Sequence, residues 1–204
     1  MNIDKYEKTI QEWRFIPMAN YICPTYKVTR NESNSPRGLT LLLHLIHTKR
    51  RDFNEVVAER MYQCTSCSLC TIHGFDETDP ALLFIAARAD VVEKGLTPKP
   101  IIKYKNMLQR KDLVNPKQFK NFNKNAKLGI YIDPFNLNSW PDLIDLNLKL
   151  LDKAGLDYSI LGLGKGSGAR LFEIGFRGLA KDIAKDTITN IKNLGLETII
   201  CLSP

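Results

Sequence analysis

The sequence predicts an α+β protein, with a helical first half and a second half in which a short parallel sheet is covered by helices. In the first half, apolar residues recur at helical spacing; in the second, short apolar runs alternate with amphipathic stretches. A basic stretch with nine Lys or Arg residues and one acid, Lys99 to Lys127, separates them. We therefore expect a helical domain (1–97), a basic linker (98–126) and a small α/β domain (127–204).

The helices of the first half follow from periodicity and capping signals. Apolar residues at helical spacing predict helices at 39–46 and 53–62. A third helix is expected to begin at Pro80 and to pass Val91, because Asp79 can cap its first turn and proline is favoured there. The cysteines of this half fall in loops and at helix starts.

The second half reads as β-α-β-α-β, which predicts parallel strands joined by helices. Apolar runs mark the strands, and a first turn with proline or an amphipathic pattern marks the helices. The predicted segments are strands at 128–132, 158–161 and 198–201 and helices at 141–151 and 172–194.

Composition limits the classes of function. With 44% apolar residues in 204, the chain can build a core, and it contains no run of roughly 18 apolar residues that would span a membrane. The N-terminus lacks the apolar core of a signal peptide, so we expect a cytoplasmic protein, free or held at the inner face of the membrane by a partner. The basic stretch contains Pro100 and Pro116, and we interpret it as a solvated linker or docking segment without a nucleic-acid partner.

The cysteines carry the chemistry. Their number, five, is odd, and Cys64, Cys67 and Cys70 are spaced C-x2-C-x2-C, which favours a metal over disulfides. Iron-sulfur loops of the C-x2-C-x2-C-x3-C-P type place three thiolates on one cluster and the fourth, before the proline, on the other. Here the fourth position is Gly74, whereas an isolated Cys23-Pro24 stands upstream.

Counting back from Cys23 by the same spacing gives apolar residues where three more cysteines would stand: Trp13, Ile16 and Ala19. The downstream motif thus keeps its first three cysteines and lacks the fourth, whereas the upstream motif keeps only the fourth, Cys23. The predicted site is therefore one [4Fe-4S] cluster on Cys23, Cys64, Cys67 and Cys70, with the apolar replacements filling the place of a second cluster.

Two other interpretations of these cysteines stay open. Zinc on Cys64, Cys67 and Cys70 with His73 as fourth ligand would suit a nucleic-acid binder that also uses the basic stretch. Cys23 by itself could be a small buried apolar residue.

Three segments together resemble a known family: CPTY at 23–26, NSPRGL at 34–39 and CTSCSLC at 64–70. They are similar to the iron-sulfur subunits of the glycolate oxidase, anaerobic glycerol-3-phosphate dehydrogenase and heterodisulfide reductase type. The resemblance implies a helical ferredoxin-like domain that passes electrons between a flavin site and a later acceptor. It also implies that Ser35 and Arg37 shape the loop beside the cluster; the alternative is a simple capped helix start at Pro36.

The second half resembles the Cys-rich domain of that family in degenerate form. Pro134 stands where one cysteine is expected, 166–168 (Gly-Ser-Gly) replaces a Cys-Cys-Gly triplet, and only Cys201 survives of a later pair. We expect no catalytic residue here. The glycine-rich loop at 162–168 fits a dinucleotide fingerprint poorly and is interpreted as a relic; a ligand there would be a phosphate, favoured by Lys165.

Together these features predict a non-catalytic electron-transfer subunit of an oxidoreductase complex. The resemblance implies a flavoprotein dehydrogenase or an intact Cys-rich-domain subunit as partner. An assembly subunit whose cluster acts only as a structural staple is the alternative.

Overall fold

The computed structural model describes residues 1–74, 78–109, 126–162 and 166–202. It has the α+β class predicted from the sequence: the helices lie mostly in the first half, and three short parallel strands lie in the second. The chain divides into two compact units. The helical unit comprises Met1–Lys103 and Phe172–Arg177, and the α/β unit comprises Tyr104–Leu171 and Gly178–Pro204.

Short helices joined by tight loops make up the first part of the chain. The α-helices are α1 Glu7–Trp13, α2 Pro24–Thr29, α3 Pro36–His47, α4 Glu55–Gln63, α5 Leu69–Ile72, α6 Pro80–Glu93 and α7 Lys99–Leu108. Single 3-10 turns lie at Asn2–Tyr6, Pro17–Tyr21 and Glu32–Asn34.

Side-chain caps set the starts of the two helices at the centre of the helical unit. Ser35 Oγ accepts a hydrogen bond from the Gly38 amide (3.0 Å) at the start of α3, and Asp79 Oδ1 accepts one from the Leu82 amide (3.0 Å) at the start of α6. Both helices then bury apolar side chains in a common core. Its members include Ile3, Ile10, Leu39, Leu43, Ala58, Met61, Leu83 and Phe84, each at most 1% exposed.

The α/β unit contains a three-stranded parallel sheet. Its strands are β1 Leu128–Tyr131, β2 Tyr158–Leu161 and β3 Thr198–Cys201, in the order β2-β1-β3. Leu128 pairs with both Tyr158 and Thr198, so the three strands run in register from the same end. Every residue of β2 is buried, whereas all four residues of β3 are exposed. The helices of the second half are α8 Pro134–Ser139, α9 Pro141–Lys153, α10 Ala169–Glu173 and α11 Arg177–Asn193.

The single helix predicted at 172–194 is wrong. The chain leaves α10 after Glu173 and begins α11 at Arg177, and Gly175 between them has φ +93°. A Cβ atom on Gly175 would stand 2.5 Å from the backbone C and O of Arg88 in α6. The segment around Gly175 therefore packs in the helical unit, with its backbone close to that of Arg88. This close contact requires a glycine with positive φ, which interrupts the helix that periodicity predicted.

The predicted basic linker, 98–126, begins with a helix. Helix α7 occupies Lys99–Leu108, and residues 110–125 lie outside the described residues, as does Lys165 of the glycine-rich loop. Among the helices of the described ranges, none combines the length and apolar character required to cross a bilayer.

Candidate metal centre

Four cysteine thiols line one pocket in the helical unit. Its wall includes Cys23, Cys64, Cys67 and Cys70. Cys70 is buried, Cys23 and Cys64 are partly buried, and Cys67 is exposed. The structure thus places on one pocket wall all four residues that the sequence assigned to the cluster, and Cys67 is the exposed member of the four.

Helix α2 positions Cys23. Cys23 is the N-cap residue in an extended conformation (φ −68°, ψ 115°), and Pro24 occupies the first helical position. One residue further on, Thr25 Oγ1 donates a hydrogen bond to the carbonyl oxygen of Gln63 (3.1 Å). Because Gln63 directly precedes Cys64, this hydrogen bond joins the two halves of the cysteine motif.

The loop from Cys64 to Cys70 turns by means of left-handed residues. Ser66 and Ser68 have φ +54° and +57°. Residues other than glycine and asparagine rarely adopt this left-handed backbone conformation. Such backbone strain costs of order 1–3 kcal/mol for each residue and is concentrated at functional sites. The turn also directs the Ser66 amide to Cys64 Sγ, with an N to S distance of 3.4 Å.

Burial controls the protonation of two of the thiols. Burial raises the pKa of Cys70 to about 12. It also raises the pKa of Cys64, although the Ser66 amide and the Arg88 guanidinium act in the opposite direction. These thiols are therefore protonated at neutral pH without a metal, and metal binding must displace their protons.

The place predicted for a lost second cluster is filled by apolar side chains. Trp13, Ala19 and Cys70 form one buried cluster, with Ile16 packed against it. Gly74 lies at the same place, since a Cβ atom on it would stand 3.0 Å from Trp13 Cζ2. The prediction that these replacements pack together is confirmed, and Trp13 is held there by a hydrogen bond from Nε1 to Thr78 Oγ1 (2.6 Å).

The NSPRGL segment lies beside the pocket. Its Asn34 and Pro36 line the wall, and Ser35 caps α3, so the capped helix start at Pro36 is confirmed. The role of Ser35 and Arg37 beside a cluster stays a prediction. Gly38 permits the tight turn, because a Cβ atom on it would meet the Glu32 carbonyl oxygen at 1.9 Å. Arg37 donates to Glu32 Oε1 (3.1 Å), which fixes the same loop.

The residues of the zinc alternative are not gathered in the same way. His73 is exposed at the end of α5 and is absent from the pocket wall, which Cys23 joins instead. Across the described ranges, no three His, Cys, Asp or Glu side chains are grouped to hold a single metal ion, and this applies to the four cysteines of the pocket as well as to His73. The fifth cysteine, Cys201, is exposed on β3 in the α/β unit.

Sequence analysis missed two residues that support the pocket, Thr25 and Arg88. Arg88 is 4% exposed and donates to the carbonyl oxygens of Met61 and Cys64. A signal for it was present, because a single arginine interrupts the apolar run of α6. Thr25 belongs to the CPTY segment, but nothing in the sequence indicated its hydrogen bond, since its partner Gln63 lies far along the chain.

No family model, no curated protein and no solved structure matches the chain.

Proposed function

We propose that the chain binds one [4Fe-4S] cluster through Cys23, Cys64, Cys67 and Cys70 and carries electrons as a non-catalytic subunit of an oxidoreductase complex. One observation carries the proposal: thiols from two segments distant in sequence line a single pocket. A [4Fe-4S] cluster needs four thiolates spread around a cube, and the pocket wall supplies four thiols.

The surroundings of the thiols fit such a cluster. The Ser66 amide donates to Cys64 Sγ, and hydrogen bonds to the ligand sulfurs are one of the means by which proteins adjust iron-sulfur centres. Apolar neighbours, Leu39 and Phe84, shield the inner wall of the pocket. When bound, a cluster of this kind accepts and releases one electron at a time.

Exposure favours an electron carrier over a structural staple. Cys67 is exposed whereas Cys70 is buried, so one side of the site is open to a partner and the other is held in the core. A staple requires no such access. Reduction distinguishes the two functions, because a staple takes no electron from a donor at physiological potential.

The partners follow from the resemblance of the three sequence segments. We propose a flavoprotein dehydrogenase, or a subunit with an intact Cys-rich domain, that brings its own redox centre to the Cys67 side. Such a complex would lie in the cytoplasm or at the inner face of the membrane. In the α/β unit, the exposed strand β3 offers backbone groups for pairing, which supports an assembly role for that unit.

Anaerobic purification with iron, sulfide and zinc analysis tests the proposal. We expect four irons and four sulfides for each chain and an EPR signal after reduction. Cys23→Ser should lower the iron content or leave a three-iron form, while Cys201→Ser, which removes an exposed cysteine outside the pocket, should leave it unchanged. A chain that holds zinc, or iron that is insensitive to Cys23→Ser, overturns the proposal.

Replacement of His73 separates the zinc alternative. A zinc site on the C-x2-C-x2-C loop with His73 would lose metal in His73→Ala and keep it in Cys23→Ser. The cluster proposal predicts the reverse order, because Cys23 lies on the pocket wall and His73 does not.

A further inference from the structure

Arg88 is a buried cation beside the cysteine loop. It lies in the middle of α6 and is 4% exposed. Its Nε donates to the Met61 carbonyl oxygen (3.0 Å), one terminal nitrogen donates to Ser66 Oγ (3.0 Å), and the other donates to the Cys64 carbonyl oxygen. The guanidinium is thus hydrogen-bonded to the loop that carries three of the four thiols.

A segment from the far end of the chain closes over the same guanidinium. The Glu173 carbonyl oxygen accepts a further hydrogen bond from Arg88 (2.9 Å), and Gly175 packs against the backbone of Arg88. The neighbouring Ile174 carbonyl oxygen accepts from the Tyr62 hydroxyl (2.9 Å), whose ring lies 5.4 Å from the guanidinium carbon. Arg88 is held from several directions and has little freedom to turn towards solvent.

The acceptors around Arg88 do not balance its charge. In the parts of the chain that the structure describes, the hydrogen-bond acceptors of Arg88 are three backbone carbonyls and one hydroxyl, all neutral. The carboxylate of the exposed residue Glu173 also acts on Arg88 electrostatically and offsets part of its charge. Placing a charge in the interior is costly unless an opposite charge lies nearby, and a charge so placed is screened little by salt. Four thiolates and a [4Fe-4S] core carry net negative charge, and the Cys64 thiol is close enough for Arg88 to favour its ionised form.

We propose that Arg88 is the fixed counter-charge of the metal centre and that it raises the reduction potential of the cluster. This inference rests on the proposed function. In the reduction step the cluster gains one electron from a one-electron donor, which is a reduced flavin or cluster of the partner or dithionite in the laboratory. No bond to Arg88 forms or breaks, and its proton stays in place. The added negative charge is stabilised by a cation that is already oriented, so the reduced state is favoured.

Two replacements separate the charge of Arg88 from its hydrogen bonds. Arg88→Gln keeps an N–H donor for the loop carbonyls and removes the charge, and Arg88→Lys keeps the charge with a different shape. Arg51→Met is the control, because it removes a positive charge from an exposed position of the same unit. Redox titration of the purified chain, monitored by EPR with a mediator mixture, measures the midpoint potential, and iron analysis measures occupancy.

We expect Arg88→Gln to lower the ratio of reduced to oxidised cluster at a given potential by tenfold or more, which is a midpoint potential lower by about 59 mV or more. Arg88→Lys and Arg51→Met should shift the ratio by less. If only Arg88→Gln fails to hold iron, the charge is needed for the site and the proposal stands. Equal potentials in loaded wild type and Arg88→Gln overturn it, as does loss of iron from both Arg88 variants, which would mean a purely structural role. A wild-type chain without iron instead overturns the proposed function itself.

Discussion

Gly74 lies directly against Trp13, so that a Cβ atom on Gly74 would stand 3.0 Å from Cζ2 of the indole. These are the positions where the spacing of paired iron-sulfur motifs would place two cysteines of a second cluster. Cysteines that bind one cluster must lie close together in space, so this motif requires positions 13 and 74 to be neighbours although they are far apart in the chain. The Trp13 indole therefore occupies the space next to Gly74, and the absence of a side chain on Gly74 makes room for it.

This close contact between Gly74 and Trp13 predicts the effect of Gly74→Ala. The added methyl group meets Trp13 at 3.0 Å and the Thr71 carbonyl oxygen at 3.2 Å, in a part of the unit that is already filled. Overpacking of this kind should lower the free energy of unfolding by about 1–3 kcal/mol, measured by urea denaturation. In Gly178→Ala, by contrast, the Cβ atom has no neighbour within 4 Å and lies in a helix, so we expect no loss and a gain of up to about 1 kcal/mol.

Thr25→Val tests the link between the two cysteine segments. The change keeps the shape of the side chain and removes the hydroxyl that donates to the Gln63 carbonyl oxygen. Because this exposed hydrogen bond positions Cys23, we expect a small stability loss of about 0.5 kcal/mol and fewer irons retained for each chain. Thr29→Val removes a hydroxyl that bonds only within α2, to the Thr25 carbonyl oxygen, and should retain its iron. Equal iron contents in the two variants would contradict the positioning role.

Gly175→Ala tests the close approach of the distal segment to α6. Gly175 and Gly95 both have positive φ in the helical unit, but only at Gly175 does a Cβ atom meet backbone, at 2.5 Å from Arg88. Gly95→Ala should therefore cost only the backbone strain, about 1–2 kcal/mol. Gly175→Ala should cost clearly more and should expose Arg88 to solvent, which hydrogen exchange of the α6 amides would detect. Similar losses of stability in both variants would show that the segment around Gly175 moves to accommodate the methyl group without disturbing α6.

Stability in the metal-free chain should fall at alkaline pH. Burial raises the pKa of Tyr62 from 10.0 to about 12, and that of Cys70 from 9.0 to about 12. Both groups release their protons more readily when unfolded, so their contribution is complete below about pH 9 and is lost as the pH rises through 12. Urea midpoints measured under reducing conditions between pH 8 and pH 11 should fall, and Tyr62→Phe should reduce the slope above pH 10. If Tyr62→Phe left the pH dependence of the urea midpoint unchanged, groups other than Tyr62 would cause the loss of stability.

Much of the fold was determined by local signals. Strands β2 and β3 occupy the predicted residues, because each is a short apolar run bounded by turn residues. Helix α6 begins at Pro80 as predicted, since the capping carboxylate of Asp79 and the proline act within one turn. The cysteine set also followed from spacing, and the structure brings all four thiols to one pocket; their role as ligands stays a prediction.

What the sequence by itself determined, then, is the α+β class, the three strands and four of the helices, α3, α4, α6 and α9, because caps and periodicity act over a few residues. Motif spacing also selected the four cysteines, whose role as ligands stays a prediction. Only the tertiary structure decided that the helix predicted at 172–194 breaks at Gly175, and that Arg88 is buried with its guanidinium on the cysteine loop. A glycine inside a helical pattern does not reveal which backbone will approach it. An arginine in an apolar helix does not reveal its acceptors, because those carbonyls belong to residues distant in the chain and meet it only when the unit is packed.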